Sequence, residues 1–146
     1  MDLFLTIIHA ITKVHPPHLL VVHFPIALTG AALFFMLLAI WRKKDIFEKI
    51  AFADISLAAA STVVAAILGI RDNLVYFQGN AANHTAKIIL AILLFIITTV
   101  TAIVRWKNPD LLHTRTANIF YILAYFVSFA IASVLGFLGG VIIYGV

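Results

Sequence analysis

Cysteine is absent from the 146 residues, and charge is scarce, at 11% Asp, Glu, Lys and Arg. The first absence excludes disulfides, thiolate-held iron–sulfur clusters and covalent c-type haem, and leaves the redox compartment open. The second excludes an ordinary solvated surface. A chain that is 64% hydrophobic, with mean hydropathy +1.12, lies outside the soluble range. Enzymatic signatures are missing as well: there is no His-Glu-x-x-His, Gly-x-Ser-x-Gly, Walker loop or paired acidic dyad. Catalysis by the chain alone is therefore not expected. A transporter would show broken helices in both halves or two repeats, and Pro25 is the one break within a span.

Most of the chain consists of four apolar runs, Leu19–Trp41, Ile50–Ile70, Ile88–Val104 and Ala117–Leu138. Each has about the ~17–25 residues a helix needs to cross ~30 Å of hydrocarbon. The expected fold is all-α: an antiparallel four-helix transmembrane bundle over residues 18–146. Residues 1–17 precede it. There Leu3, Ile7, Ala10 and Ile11 fall on one side at helical spacing, which suggests a short interfacial helix. The segment lacks a basic start and a small-residue cleavage site, so a signal peptide is not expected.

The net charge of +4 comes mostly from two short connections. Arg42–Lys49 carries Arg42, Lys43, Lys44 and Lys49 against Asp45 and Glu48, and Arg105–Thr116 carries Arg105, Lys107 and Arg115 against Asp110. The remaining connection, the second in chain order, Arg71–Lys87, has only Arg71 and Lys87 against Asp72. By the positive-inside rule the first and third connections face the cytoplasm, and both termini face the periplasmic side of a bacterial inner membrane. The basic excess reads as topology, so no nucleic-acid partner is expected.

Small residues mark helix contacts. Asp54, Ala58, Ser61, Ala65, Gly69 and Asp72 form one stripe on the second run, and Ser128, Ala132, Gly136 and Gly140 form one on the fourth. Such stripes let backbones approach closely in lipid.

The expected topology gathers His18, His23, Arg71, Asp72, His84, Lys87, Gly139, Gly140 and Tyr144 in the outer leaflet. Intramembrane polar groups mark function by default, and this convergence is the main functional signal. His23 is the sharpest candidate. It lies about five residues into the first crossing, above a seam of Ala27 and Gly30, while Pro25 frees the carbonyl of Val21. His23 is expected either to be hydrogen-bonded, with Asp72 one candidate partner, or to ligate haem iron. His84 is its counterpart as a second axial ligand, and His18 matches His84 better in depth. Asp72 is expected either to orient a histidine through a ring N–H or to pair with Arg71 or Lys87. Asp54 suggests proton handling, with Lys49 and the other loop cations as structural partners that would remove that role. His9, His15 and His113 are read as interfacial or solvated.

Four stretches carry a resemblance. His18-Leu19-Leu20-Val21-Val22-His23-Phe24-Pro25-Ile26-Ala27-Leu28 resembles the opening motif of a bacterial family of small four-helix membrane proteins, known only as a domain of unknown function. Gly69-Ile70-Arg71-Asp72 resembles the family's Gly-x-x-Asp at the end of helix two, and His84 matches its histidine at the start of helix three. Gly139-Gly140-Val141-Ile142-Ile143-Tyr144-Gly145-Val146 resembles its Gly-Gly-x-Leu-Val-Tyr…Gly-Val ending. The resemblance runs from about Val14 to the C-terminus. Pro16-Pro17 stands before His18 where the family has one proline after it, and the histidine that often follows the C-terminal tyrosine is missing. The resemblance implies a respiratory setting, since some members are linked to cytochrome- and Rieske-like redox partners. The expected function is a small non-catalytic subunit of a membrane redox or respiratory assembly, with His18, His23, Asp72 and His84 holding one haem b or contacting quinone. The alternative is a purely structural subunit that packs against larger membrane partners.

Overall fold

In hydrocarbon every backbone N–H and C=O must be paired within the chain, so long apolar runs become helices. The computed structural model describes residues 3–9, 17–81, 83–111 and 115–144, with 7–9, 115–117 and 141–144 described by backbone alone. Its elements are α1 (Leu3–His9), α2 (Pro17–Val21), α3 (His23–Arg42), α4 (Asp45–Phe77), α5 (His84–Lys107) and α6 (Arg115–Tyr144), with no strand among the described residues. Four spans are long and apolar enough to cross a membrane: Pro17–Arg42, Asp45–Phe77, His84–Lys107 and Asn118–Gly140. α3 packs on α4, α4 on α5, α5 on α6 and α6 back on α3. Sequence neighbours are thus spatial neighbours, and the four crossings close into an antiparallel bundle.

Pro17 opens α2, a position where the missing N–H is not needed. The first crossing is interrupted at Val22, between α2 and α3. Val22 N–H still reaches the His18 carbonyl at 2.9 Å, but Pro25 has no donor for Val21, so the ladder breaks one turn before the proline. Thr29 compensates locally, its hydroxyl donating to the Pro25 carbonyl at 2.8 Å. α1 forms inside the expected interfacial segment, with Leu3, Phe4 and Leu5 exposed.

The connections are shorter than expected. α3 ends at Arg42 and α4 begins at Asp45, so only Lys43 and Lys44 lie between them. Glu48 and Arg105, read as connection residues, therefore stand inside α4 and α5. Both positions suit the helix dipoles: Glu48 is in the first turn of its helix and Arg105 in the last turn of its own. α4 also runs past Ile70 to Phe77, giving 33 residues and a length of ~50 Å. Arg71 and Asp72 are consequently helical. The helix stops where Gln78 and Gly79 take left-handed φ of 51° and 82°, and the N–H groups of both reach the Asn73 carbonyl.

The core has two parts. Ala32, Met36, Ala51, Ile55, Tyr121 and Tyr125 pack together toward the end that holds Glu48. Leu94, Ile131 and Ala132 form a second cluster, lined by Ile26 and Leu135. Both small-residue stripes face inward: Ala58, Ala65 and Asp72 of α4 are buried, as are Ser128 and Ala132 of α6. At Gly136 an added Cβ would lie 2.9 Å from Ile26, and at Gly30 it would lie 3.2 Å from Phe129. The seam between α3 and α6 is closed.

Candidate functional site

His18, in the second position of α2, is docked onto α4 twice. Its backbone N–H donates to Asp72 Oδ2 at 3.0 Å, and its ring Nδ1 lies 2.8 Å from the Ala65 carbonyl. A carbonyl only accepts, so Nδ1 carries the hydrogen and the lone pair is on Nε2, the arrangement that makes an imidazole a ligand or acceptor. Gly69 makes the docking possible, because a Cβ there would stand 3.1 Å from the His18 ring. Asp72 is buried, and its second oxygen accepts from Arg71 at 2.9 Å. The Asp72–Arg71 pairing expected from the sequence is thus formed.

His23 is placed differently from the expectation. It is exposed at the start of α3, with no hydrogen-bond partner among the described residues, while Asp72 is taken up by His18 and Arg71. The two histidines are five positions apart, so one faces α4 and the other turns out of the bundle. His84, half-buried, is held by its own loop: Nδ1 lies 3.1 Å from the Ala81 carbonyl, and Nε2 lies 3.3 Å from the Thr85 hydroxyl. Asn73 Oδ1 accepts from Ala81 N–H at 3.0 Å and ties that loop to α4. His18, Asp72 and Arg71 are therefore brought together, and His23 and His84 each stand apart from them. No three His, Cys, Asp or Glu side chains form a metal-holding group among the described residues. His15 and His113, and the side chains of His9 and Tyr144, lie outside the described residues.

A haem b between helices needs two facing imidazoles and an open slot. The α3–α6 seam offers no slot, and His23 faces outward. The residues present do not fit a haem enclosed at this seam.

The largest polar network lies at the other end, where none was expected. Glu48 accepts from Arg105 Nε on one oxygen and from Arg105 Nη2, at 2.7 Å, on the other. Tyr121 hydroxyl donates to Glu48 Oε1 at 2.8 Å, and the Tyr125 hydroxyl lies 2.9 Å from that of Tyr121. The two rings meet edge to face, and the Arg105 guanidinium sits over Phe52. All four polar residues are buried. A signal was available. Arg105 extends the buried spacing Leu94, Thr98, Thr101 on α5, and Glu48 extends Ala51, Ile55, Ala58 on α4, so each charge falls on the inward face of its helix.

No curated protein and no solved structure matches the chain. One family model does, over residues 14–146, and its helix-forming region is the bundle described above. The chain therefore belongs to the family described as predicted membrane protein DUF2231.

Proposed function

We propose that the protein is a small non-catalytic subunit of a membrane redox assembly of the respiratory kind, presenting His23 at the bundle surface to a quinone or a cofactor-bearing partner. The observation that carries this reading is the exposed imidazole of His23, flanked by exposed Leu20 and Phe24. It lies ~7 Å deeper along the helix than His18. A polar group without a partner in an apolar setting is penalised by ~1–3 kcal/mol. A quinone carbonyl accepting its N–H, or a group on a partner subunit, relieves that penalty. Quinone contact suits the site better than axial haem ligation, because one outward ring supplies one hydrogen bond but only one ligand. In this reading His18, Asp72 and Arg71 have a supporting role: they fix α2 on α4 and so set where α3 begins.

The test uses the purified protein in detergent. A photoreactive quinone analogue is expected to label the wild type near His23, with labelling lost in His23→Ala and kept in His84→Ala. The visible spectrum of protein expressed with ample haem is recorded in parallel. A Soret band that His23→Ala abolishes would replace quinone with haem. If neither labelling nor a Soret band is seen and the protein migrates alone on native gels, the purely structural alternative takes its place.

The same reading puts the His18 end on the periplasmic side of a bacterial inner membrane. Its support is the basic excess of Arg42, Lys43, Lys44, Lys49 and Lys107 at the opposite end, where Trp41 and Trp106 are also exposed. The absence of native cysteine allows a clean measurement. Single cysteines at Lys44 and Asn108 are expected to be shielded from a membrane-impermeant thiol reagent in intact cells, and one at Asn80 to be labelled. The reverse pattern would invert the orientation.

A further inference from the structure

On α6, Asn118, Tyr121, Tyr125 and Ser128 follow at steps of three, four and three, which places them on one face. Tyr121, Tyr125 and Ser128 are buried, so this face points into the bundle. Hydrogen bonds link its first part, from Tyr125 through Tyr121 to Glu48. Along the rest, partners run out. Asn118 Oδ1, Asp54 Oδ2 and Ser128 Oγ are buried polar atoms with no hydrogen-bond partner among the described residues. Roughly 90% of buried polar groups in proteins are paired, and those that lack a protein partner are commonly paired by buried water. Three such atoms beside one tyrosine-lined face mark a place for water.

Asp54 joins this line from α4 with one buried carboxylate oxygen left without a partner. Lys49, its expected partner, does not pair with it, and Asp54 has no ion pair among the described residues. Among the described residues the surrounding helices supply no other counter-charge. α3 has no titratable side chain between His23 and Arg42, α5 brings Arg105, already forked onto Glu48, and α6 brings the neutral Tyr125. Glu48 on its own helix is held by Arg105 and Tyr121. A carboxylate left unpaired within the membrane takes up a proton rather than remain charged. The line also has an end. Asn118 to Ser128 covers ~15 Å at the helical rise, half of a ~30 Å core. The next turn is closed by Leu94, Ile131 and Ala132.

We propose that this face of α6 is a hydrated proton path, open at the Glu48 end and closed halfway across, and that Asp54 is the group that binds and releases the proton. The step is the equilibrium of a carboxylate and a proton with the carboxylic acid. The path serves a proton exchanged at mid-membrane and does not conduct through the bundle.

Infrared spectroscopy of the full chain in liposomes reads the C=O stretch of a protonated carboxyl directly. A band that shifts in D2O is expected, absent from Asp54→Asn and present in Asp54→Glu. The combined Tyr125→Phe and Ser128→Ala variant is expected to slow the isotope shift at least tenfold. No band, or a band that survives Asp54→Asn, overturns the proton site; an unchanged exchange rate overturns the path. A measurement on the wild type does not depend on any variant folding. Dicyclohexylcarbodiimide adds to protonated carboxyl groups in apolar surroundings without a leaving group, so one reagent mass on residue 54 is expected. Modification at Glu48 in its place, or none, overturns the proposal.

Discussion

Each end of the bundle pairs one arginine with one buried acid, but joined in different ways. At the His18 end the partners, Arg71 and Asp72, are adjacent in sequence, and the arginine side chain is 44% exposed. At the Glu48 end they are 57 residues apart, and the side chains of Arg105 and Glu48 are 10% and 4% exposed. A pair of sequence neighbours holds no two helices together. Its acid is left free to do so by another route, through the backbone N–H of His18. The distant pair clamps α4 to α5 directly and draws in α6 through Tyr121. The Glu48 end is therefore held together by side chains. The His18 end is closed by backbone contacts and leaves one imidazole facing out.

The comparison is broken most severely at the buried pair. Glu48→Ala or Arg105→Ala strands a charge and is expected to destabilise the protein by ~3–5 kcal/mol, whereas replacing both with methionine costs far less. Arg71→Ala, at an exposed pair, is expected to cost under ~1 kcal/mol. Thermal unfolding in detergent, followed by circular dichroism, checks all four variants; equal losses for Arg71→Ala and Arg105→Ala would erase the contrast between the ends.

Gly69 tests the His18 end at the next level. Gly69→Val meets the His18 ring and is expected to cost ~1–3 kcal/mol through overpacking. Gly139→Ala, where nothing lies within 4 Å of the new Cβ, serves as the neutral control in the same melts.

The smallest effect concerns His23. His23→Ala is expected to change stability by no more than ~0.5 kcal/mol, while Asp72→Ala leaves the His18 N–H unpaired and costs ~1 kcal/mol. Since the two residues do not meet, their double-mutant cycle should be additive within ~0.5 kcal/mol. A larger coupling would bring His23 back into the pocket with Asp72.

The crossings were legible because the bilayer fixes their length and their lack of charge. So were the inward stripes, which depend on residue size alone. Helix ends were less so: Arg71, Asp72 and Asn73 have the composition of a loop, yet α4 continues because Asp72 has a buried partner to reach. The site split for a related reason. Spacing placed His18 and His23 at the same end, but which of them faces α4 depends on helix rotation, set by contacts such as Gly69 with His18. Glu48 and Arg105 were read as loop charges because each, taken alone, looks solvated; their partnership spans most of two helices.

The Glu48–Arg105 clamp also bears on how the chain is made. Arg105 is synthesised 57 residues after Glu48, so at the ribosome α4 emerges with a lone acid near its start. Placing either charge in the membrane alone is unfavourable, by ~2.5–3.5 kcal/mol on insertion scales for arginine at a helix centre. α4 must therefore wait with its first turn at the interface until α5 arrives. The two helices then settle as a hairpin, with their charges cancelling as they meet. A nascent chain arrested before Arg105 is expected to keep the first turn of α4 at the interface, where Glu48 stays hydrated.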